Sequence, residues 1–125
     1  MKDRYLQKLW RDAVLKKDNY RCVMCGIGGE HNLQCHHFIK RRVRVLRHDY
    51  RNGFALCYGC HAKAHTKAGE QRLIKIMGIQ TFEYLTKKEV INLKDHIRIV
   101  GISREKFYLN MGKELKEYIS NKDID

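Results

Sequence analysis

The chain has no proline, so no turn or helix end can rest on that residue's fixed φ. Punctuation falls to Gly, Asn, Ser and Thr. No apolar run approaches the roughly 20 residues that a membrane-spanning helix needs. Met1-Lys2-Asp3-Arg4 opens a charged amphipathic stretch rather than an apolar signal region, which predicts an intracellular, cytoplasmic protein without a membrane partner. There is no internal repeat. Acidic residues are few: 14 Asp and Glu stand against 26 Lys and Arg, for a net charge of +12. Such an excess favours polyanions, nucleic acid before anionic membrane. The five cysteines are odd in number and four of them form close pairs, a pattern that suits metal-binding thiols better than a disulfide framework.

A length of 125 residues fits one domain, or one compact core with a helical appendage. At 43% apolar residues the core is modest, and a bound metal would add folding energy. The expected division is residues 1–69 as a core with an N-terminal helix, and residues 70–125 as a helical extension. Residues 3–18 show helical spacing through Tyr5, Leu6, Leu9, Trp10, Ala13 and Val14, with Asp3 as cap and Trp10 as a core anchor. Residues 20–23 read as a short strand. Residues 32–39 read as another, with Leu33, Cys35 and His37 on one face and Gln34 and His36 on the other. Asn52-Gly53 turns into a strand at Phe54-Ala55-Leu56. A helix is predicted from Tyr58 to Ala68, ended by Gly69, and a short one over 70–77. Thr86 to Glu89 reads as a capping box opening a helix through Ile99, which Gly101 ends. Ser103 caps a last helix with a stripe through Phe107, Met111, Leu115 and Tyr118.

Cys22 and Cys25, and Cys57 and Cys60, are two Cys-x-x-Cys pairs separated by 31 residues. Two such turns bring four thiolates to one point, the donor set of a structural Zn²⁺. The long gap requires an inserted fold, which carries His36-His37. Cys35 is spare and reads as a small buried residue. His61 and His65 are four apart on one helical face. With His36 they can hold a second, open metal, leaving His37 beside it as a base. Lys40, Arg41, Arg42, Arg44, Arg47 and Arg51 crowd the following loop against one acid, Asp49, while residues 22–35 carry no Lys or Arg. This loop is the candidate phosphate contact. His31, His48 and His96 fall outside the pattern and read as surface residues, His48 being near enough to touch phosphate.

The order His36-His37, Asn52, His61, together with Leu33 to Ile39 and Leu56-Cys57-x-x-Cys60-His61, resembles the His-Asn-His (HNH) endonucleases of the ββα-metal superfamily. The resemblance covers about residues 20–68. The four-cysteine knuckle is like that of phage and homing HNH enzymes, and the triple histidine is like the colicin DNase branch. It implies an α+β fold: a small ββα-metal core with a treble-clef-like four-cysteine zinc site, a preceding amphipathic helix and a helical C-terminal extension. It further implies hydrolysis of DNA phosphodiester bonds, leaving 5′-phosphate and 3′-hydroxyl ends. His37 would be the general base, Asn52 the brace of its loop, and His36, His61 and His65 the ligands of one catalytic divalent ion. Many relatives have Asp at the position of His36. An all-imidazole set is softer and less suited to Mg²⁺, which brings in Mn²⁺, Ni²⁺, Co²⁺ or Zn²⁺, while two imidazoles plus waters could still hold Mg²⁺ or Mn²⁺. The implied setting is a phage or mobile element in a bacterial host, with duplex or branched DNA, phage proteins or a second copy as partners.

Two alternatives stand beside this reading. One is a non-catalytic, zinc-stabilised nucleic-acid-binding module, which has no need of an open histidine site. The other is a phage accessory factor. In the C-terminal segment, Ile97, Gly101, Ile102, Ser103 and Phe107 fall where a helix-turn-helix places its packing and turn residues. Ile97 sits where a small residue is usual, and Glu105, Glu114 and Glu117 would face phosphate, which favours a helical hairpin packed on the core. Either arrangement would orient substrate or offer a dimer surface.

Overall fold

The computed structural model describes residues 3–29 and 32–121, and His31 lies outside them. Helix α1 (Asp3–Lys17) buries Leu6, Trp10, Ala13, Val14 and Leu15 along one stripe. Lys16 and Lys17 end it, where their charge complements the helix dipole. Asn19 and Tyr20 both take φ of 57°, which reverses the chain into the first cysteine pair. The strand expected at 20–23 is absent for that reason. Tyr20 is left-handed, Cys22 N–H bonds Ile27 O inside the knuckle at 2.8 Å, and only a single bridge, Arg21 to Gly28, forms.

Strand β1 (Leu33–His37) pairs antiparallel with β2 (Gly53–Cys57), in a register running from Leu33 opposite Cys57 to His37 opposite Gly53. Between them lies the loop 38–52, which closes on a 3-10 turn at Tyr50–Asn52. Helix α2 (Tyr58–Ala64) follows β2 directly, completing a ββα unit. Among the described residues the sheet has these two strands only, and α1 covers its odd face. That face must approach closely: a Cβ on Gly53 would lie 2.4 Å from Val14 Cγ2 and 2.7 Å from Trp10 Cζ2.

Four more helices follow: α3 (Lys67–Met77), α4 (Ile79–Glu89), α5 (Leu93–Val100) and α6 (Arg104–Ser120). The described protein is thus α+β, with six helices and one two-stranded sheet. Three boundaries differ from expectation. The helix from Tyr58 stops at Ala64 because Thr66, in an extended conformation, starts a new one by accepting Gly69 N–H on its hydroxyl at 3.0 Å. Gly69 is therefore buried in the first turn of α3 rather than ending α2. Thr86 does not cap: its hydroxyl bonds back to Phe82 O at 2.9 Å within α4. Asn92 caps α5 instead, accepting Lys94 N–H at 2.8 Å. Gly101 (φ 81°) and the Ser103 cap fall where expected.

The core has three parts. Leu15, Leu33, Phe54, Leu56, Ala64 and Leu73 pack the sheet against α2 and α3. Leu6, Trp10, Val14 and Leu115 join α1 to α6. Ile39, Val45 and Leu46 of the loop are buried with Leu85, Leu93 and Phe107 of α4, α5 and α6. Residues 93–120 thus form a helical pair packed on the core through α6, and the loop is part of the hydrophobic interior. No described helix is long and apolar enough to cross a membrane.

Gly69→Ala tests the close crossing of α2 and α3. Its Cβ would sit 2.0 Å from Lys63 O, so the variant should lose about 1–3 kcal/mol despite alanine's better helix propensity. Urea denaturation giving an unchanged or raised midpoint would disprove that packing.

Candidate metal centres and cleft

The four paired cysteines converge although 31 residues separate the pairs. Each group of donor atoms, these sulfurs and the three imidazoles described next, lies within 4.8 Å of its fellows. Cys25 Sγ is 3.6 Å from Cys57 Sγ, close to the about 3.8 Å edge of a tetrahedron built on Zn–S bonds of about 2.3 Å. All four thiols are free. Burial raises the Cys22 pKa, but backbone N–H groups at Cys57, Cys25 and Met24 outweigh it and bring the thiol down to about 6. Burial and the three neighbouring thiols push Cys60 up to about 12. Four thiols at one point cannot all ionise without a cation, and a tetrathiolate set with this spacing fits Zn²⁺.

The sheet and α2 build the second centre. His36 points from the α2 face of β1, His61 comes from α2, and His65 is the C-cap residue just past it, on the same face. Ring centroids are 5.0 Å apart for His36 and His61, 5.1 Å for His36 and His65, and 5.2 Å for His61 and His65. Burial, then the three neighbouring histidines, lower His36 to about 4. Burial and His65 also lower His61. Neutral imidazole is the form that binds a metal, so the donor set fits a divalent ion with open positions. Gln34, two residues before His36 on the same strand face, accepts from His61 Nδ1 through Oε1 and leaves Nε2 as that ring's other donor atom. Sequence periodicity puts Gln34 on this face, but nothing local pairs it with His61.

His37 points the other way, toward α1. Its ring stacks on the Trp10 indole, with centroids 3.9 Å apart and planes 6° from parallel. Nε2 is 2.9 Å from Arg47 O. A carbonyl only accepts, so Nε2 carries the proton and Nδ1 the lone pair when the ring is neutral. Burial lowers the pKa of His37, and Arg41 and Arg47 add to this against the opposing bond to Arg47 O. Asn52 is fully buried and clamps the loop: Oδ1 accepts from Ile39 N–H at 2.6 Å, and Nδ2 donates to Ile39 O at 3.0 Å and Leu46 O at 3.2 Å. Trp10 Nε1 donates to Asp49 O at 2.8 Å. The Trp10 stack spans 27 positions and has no local signature beyond a core spacing.

A cleft of about 640 Å³ is lined by His36, His37 and His65 on one side, Lys40 and Arg42 on the loop, and Phe82, Glu70 and Glu89 of α3 and α4. The six basic residues of the loop do not act together. Lys40 and Arg42 are exposed in this cleft. Arg41 and Arg47 lie 3.3 and 3.5 Å from the Asp3 carboxylate. Arg44 donates to the Tyr108 hydroxyl at 3.0 Å. Arg51 is held by Asp49 at 2.8 Å and Glu114 at 3.2 Å and lies over the Tyr84 ring. His48 is not a surface residue: it is 1% exposed, with Nε2 3.0 Å from Asp3 Oδ1, and burial lowers it to about 4. The loop turns inward there, between Asp3 and the Tyr108 ring. His96 is half-buried, edge-on to Phe107.

Residues 22–67 match the family model of the HNH endonucleases. No curated protein and no solved structure matches the chain.

The tetrathiolate centre is checked by Cys60→Ser. Bound zinc should fall by one equivalent and the melting temperature should drop, because the metal contributes to folding. In Co²⁺-loaded protein the thiolate charge-transfer absorption should weaken. A variant with full zinc content and unchanged melting would show that these sulfurs are not the ligands.

Proposed function

We propose that the protein is a metal-dependent endonuclease that hydrolyses DNA phosphodiester bonds, leaving 5′-phosphate and 3′-hydroxyl ends, a reading supported by the match of residues 22–67 to the HNH endonuclease family model. The observation that carries this reading is a division of labour on one strand. His36 joins His61 and His65 in a triangle of donor atoms that could hold a metal, while the adjacent His37 lines the same cleft as His36 and His65, with an unprotonated Nδ1.

His37 takes the proton of an attacking water at Nδ1, and its bond to Arg47 O keeps Nε2 as the donor so that the tautomer does not drift. The Trp10 ring on one face and the Asn52-clamped loop fix where that nitrogen points. A divalent ion held by His36, His61 and His65 would supply positive charge to the phosphate oxygens and the leaving 3′ oxygen. Lys40 and Arg42 attract and seat the backbone phosphates. The tetrathiolate centre anchors the turn before β1 to the end of β2, so it keeps α2 in register with the strand that bears His36. Helices α3 to α6 shape the far wall of the cleft and so set how DNA enters.

Plasmid cleavage by metal-stripped protein reloaded with Mg²⁺, Mn²⁺, Ni²⁺ or Zn²⁺ tests the reading. The expected outcome is metal-dependent nicking or linearisation that His37→Ala lowers by ~10²-fold or more with DNA binding kept. Binding without cleavage under every metal would instead support a non-catalytic nucleic-acid-binding module.

The unequal placement of the basic residues gives a second test. Replacing Lys40 and Arg42 with Ala should weaken binding to all sequences alike and flatten the log–log salt dependence by up to ~2. Arg51→Ala should lower stability instead, since it leaves the buried Asp49 carboxylate short of its partner. A salt slope that falls with Arg51→Ala but not with the Lys40 and Arg42 pair would reverse the assignment.

A further inference from the structure

The two ends of the β1–β2 ribbon face different surroundings. At one end His37 pairs with Gly53; at the other Leu33 pairs with Cys57, and the chain enters α2 at Tyr58. Four residue steps separate the ends, about 13 Å along a strand. The His36, His61 and His65 triangle stands between. Tyr58 is 80% exposed, and on α2 it shares a face with His61, Ala62 and His65. With Gln34 these residues enclose a hollow of about 200 Å³. His65 borders both this hollow and the larger cleft, whereas His37, Lys40 and Arg42 line the cleft and not the hollow. The hollow holds no Lys, Arg, Asp or Glu, so apart from the two triad histidines it offers one exposed ring and one carboxamide.

We propose that Tyr58 is the stacking platform for the nucleobase 5′ to the cut, the one whose sugar keeps the 3′-hydroxyl. The proposal rests on the hydrolytic reading above. Displacement at phosphorus is in line: the water oxygen bonds to phosphorus as the bond to O3′ breaks on the opposite side. The water proton passes to His37 Nδ1, the electron pair of the broken bond leaves on O3′, and O3′ takes a proton from solvent. With the water on the His37 side of a phosphate seated at the triangle, O3′ and its nucleoside depart toward Gln34 and Tyr58. A base reaches an exposed phenol ring only when it is out of the duplex stack. The substrate class follows: DNA unpaired at the nucleotide before the cut, as in a single strand, a flap or a frayed end. Every base has a π-face, so this contact selects strand state rather than sequence.

The test uses a short single-stranded oligonucleotide carrying 2-aminopurine at alternate positions, bound to Zn²⁺-loaded His37→Ala protein. Its fluorescence should be quenched on binding, the quench should be largely lost when Tyr58→Ala is added, and Tyr58→Phe, which keeps the ring, should restore it. In protein with His37 intact, Tyr58→Ala should cut single-stranded DNA roughly tenfold more slowly, the effect of one base–aromatic stack. Equal quenching with and without Tyr58 overturns the platform, and does so even if wild-type protein cuts DNA. Quenching that depends on Tyr58 in a protein that cuts nothing upholds the platform and removes the hydrolytic reading instead.

Discussion

A single buried carboxamide holds this protein in working order. Asn52 is inaccessible to water and makes three hydrogen bonds through its side chain, to both backbone groups of Ile39 and to Leu46 O. Its own carbonyl accepts Phe38 N–H at 3.2 Å. These bonds close the loop 38–52 onto the end of the sheet, and the loop in turn presents Arg47 O to His37. Losing that side chain would orphan both backbone groups of Ile39, each at about 1–3 kcal/mol where water cannot reach, while Leu46 O would keep the Asp49 N–H at 3.2 Å. His37, the cleft wall and the loop's apolar residues all inherit their positions from this clamp.

Asp49, next in importance, extends the same logic to the C-terminal helices. Its carbonyl takes the Trp10 indole N–H, and its buried carboxylate takes Arg51 and, at 2.5 Å, the Tyr84 hydroxyl. Arg51 passes on to Glu114 in α6. Through five side chains, α1, the loop, α4 and α6 share one polar network, and Trp10 at its edge is the ring on which His37 rests. The helices after residue 67 are therefore joined to the site's back wall by polar contact as well as by the packing of Leu85, Leu93 and Phe107 on Ile39 and Leu46.

A net charge of +12 gives a poor picture of where phosphate would bind. The densest basic run supplies structure as much as charge: Arg51 bridges two carboxylates, Arg44 reaches Tyr108 and Arg47 reaches Arg41 O. Lys40 and Arg42 are the members that open onto the cleft beside His36 and His37. A guanidinium satisfied by fixed carboxylates has less to gain from a passing phosphate, so position within the fold divides chemically identical residues into two groups.

Local chemistry was legible in the chain. Cys-x-x-Cys, His-x-x-x-His and the alternation of a short strand depend on spacings of a few residues, and backbone geometry turns those into shared points and faces without outside help. The first helix, the Gly101 and Ser103 punctuation and the faces of β1 follow from that, while the α+β class came from the resemblance of the whole motif to a known family. What local spacing could not supply depends on contacts between distant segments. The Thr66 cap starts α3 just after α2, and α3 crosses α2 closely enough to require Gly69. His48 turned from an expected surface residue into a buried one because the loop folds inward between Asp3 and Tyr108. The stack of Trp10 on His37, the bond from His61 to Gln34 and the sorting of six basic residues are likewise products of packing. Each joins residues whose separation in sequence carries no periodic signal, and each is decided by which surfaces the folded core brings within a few ångströms.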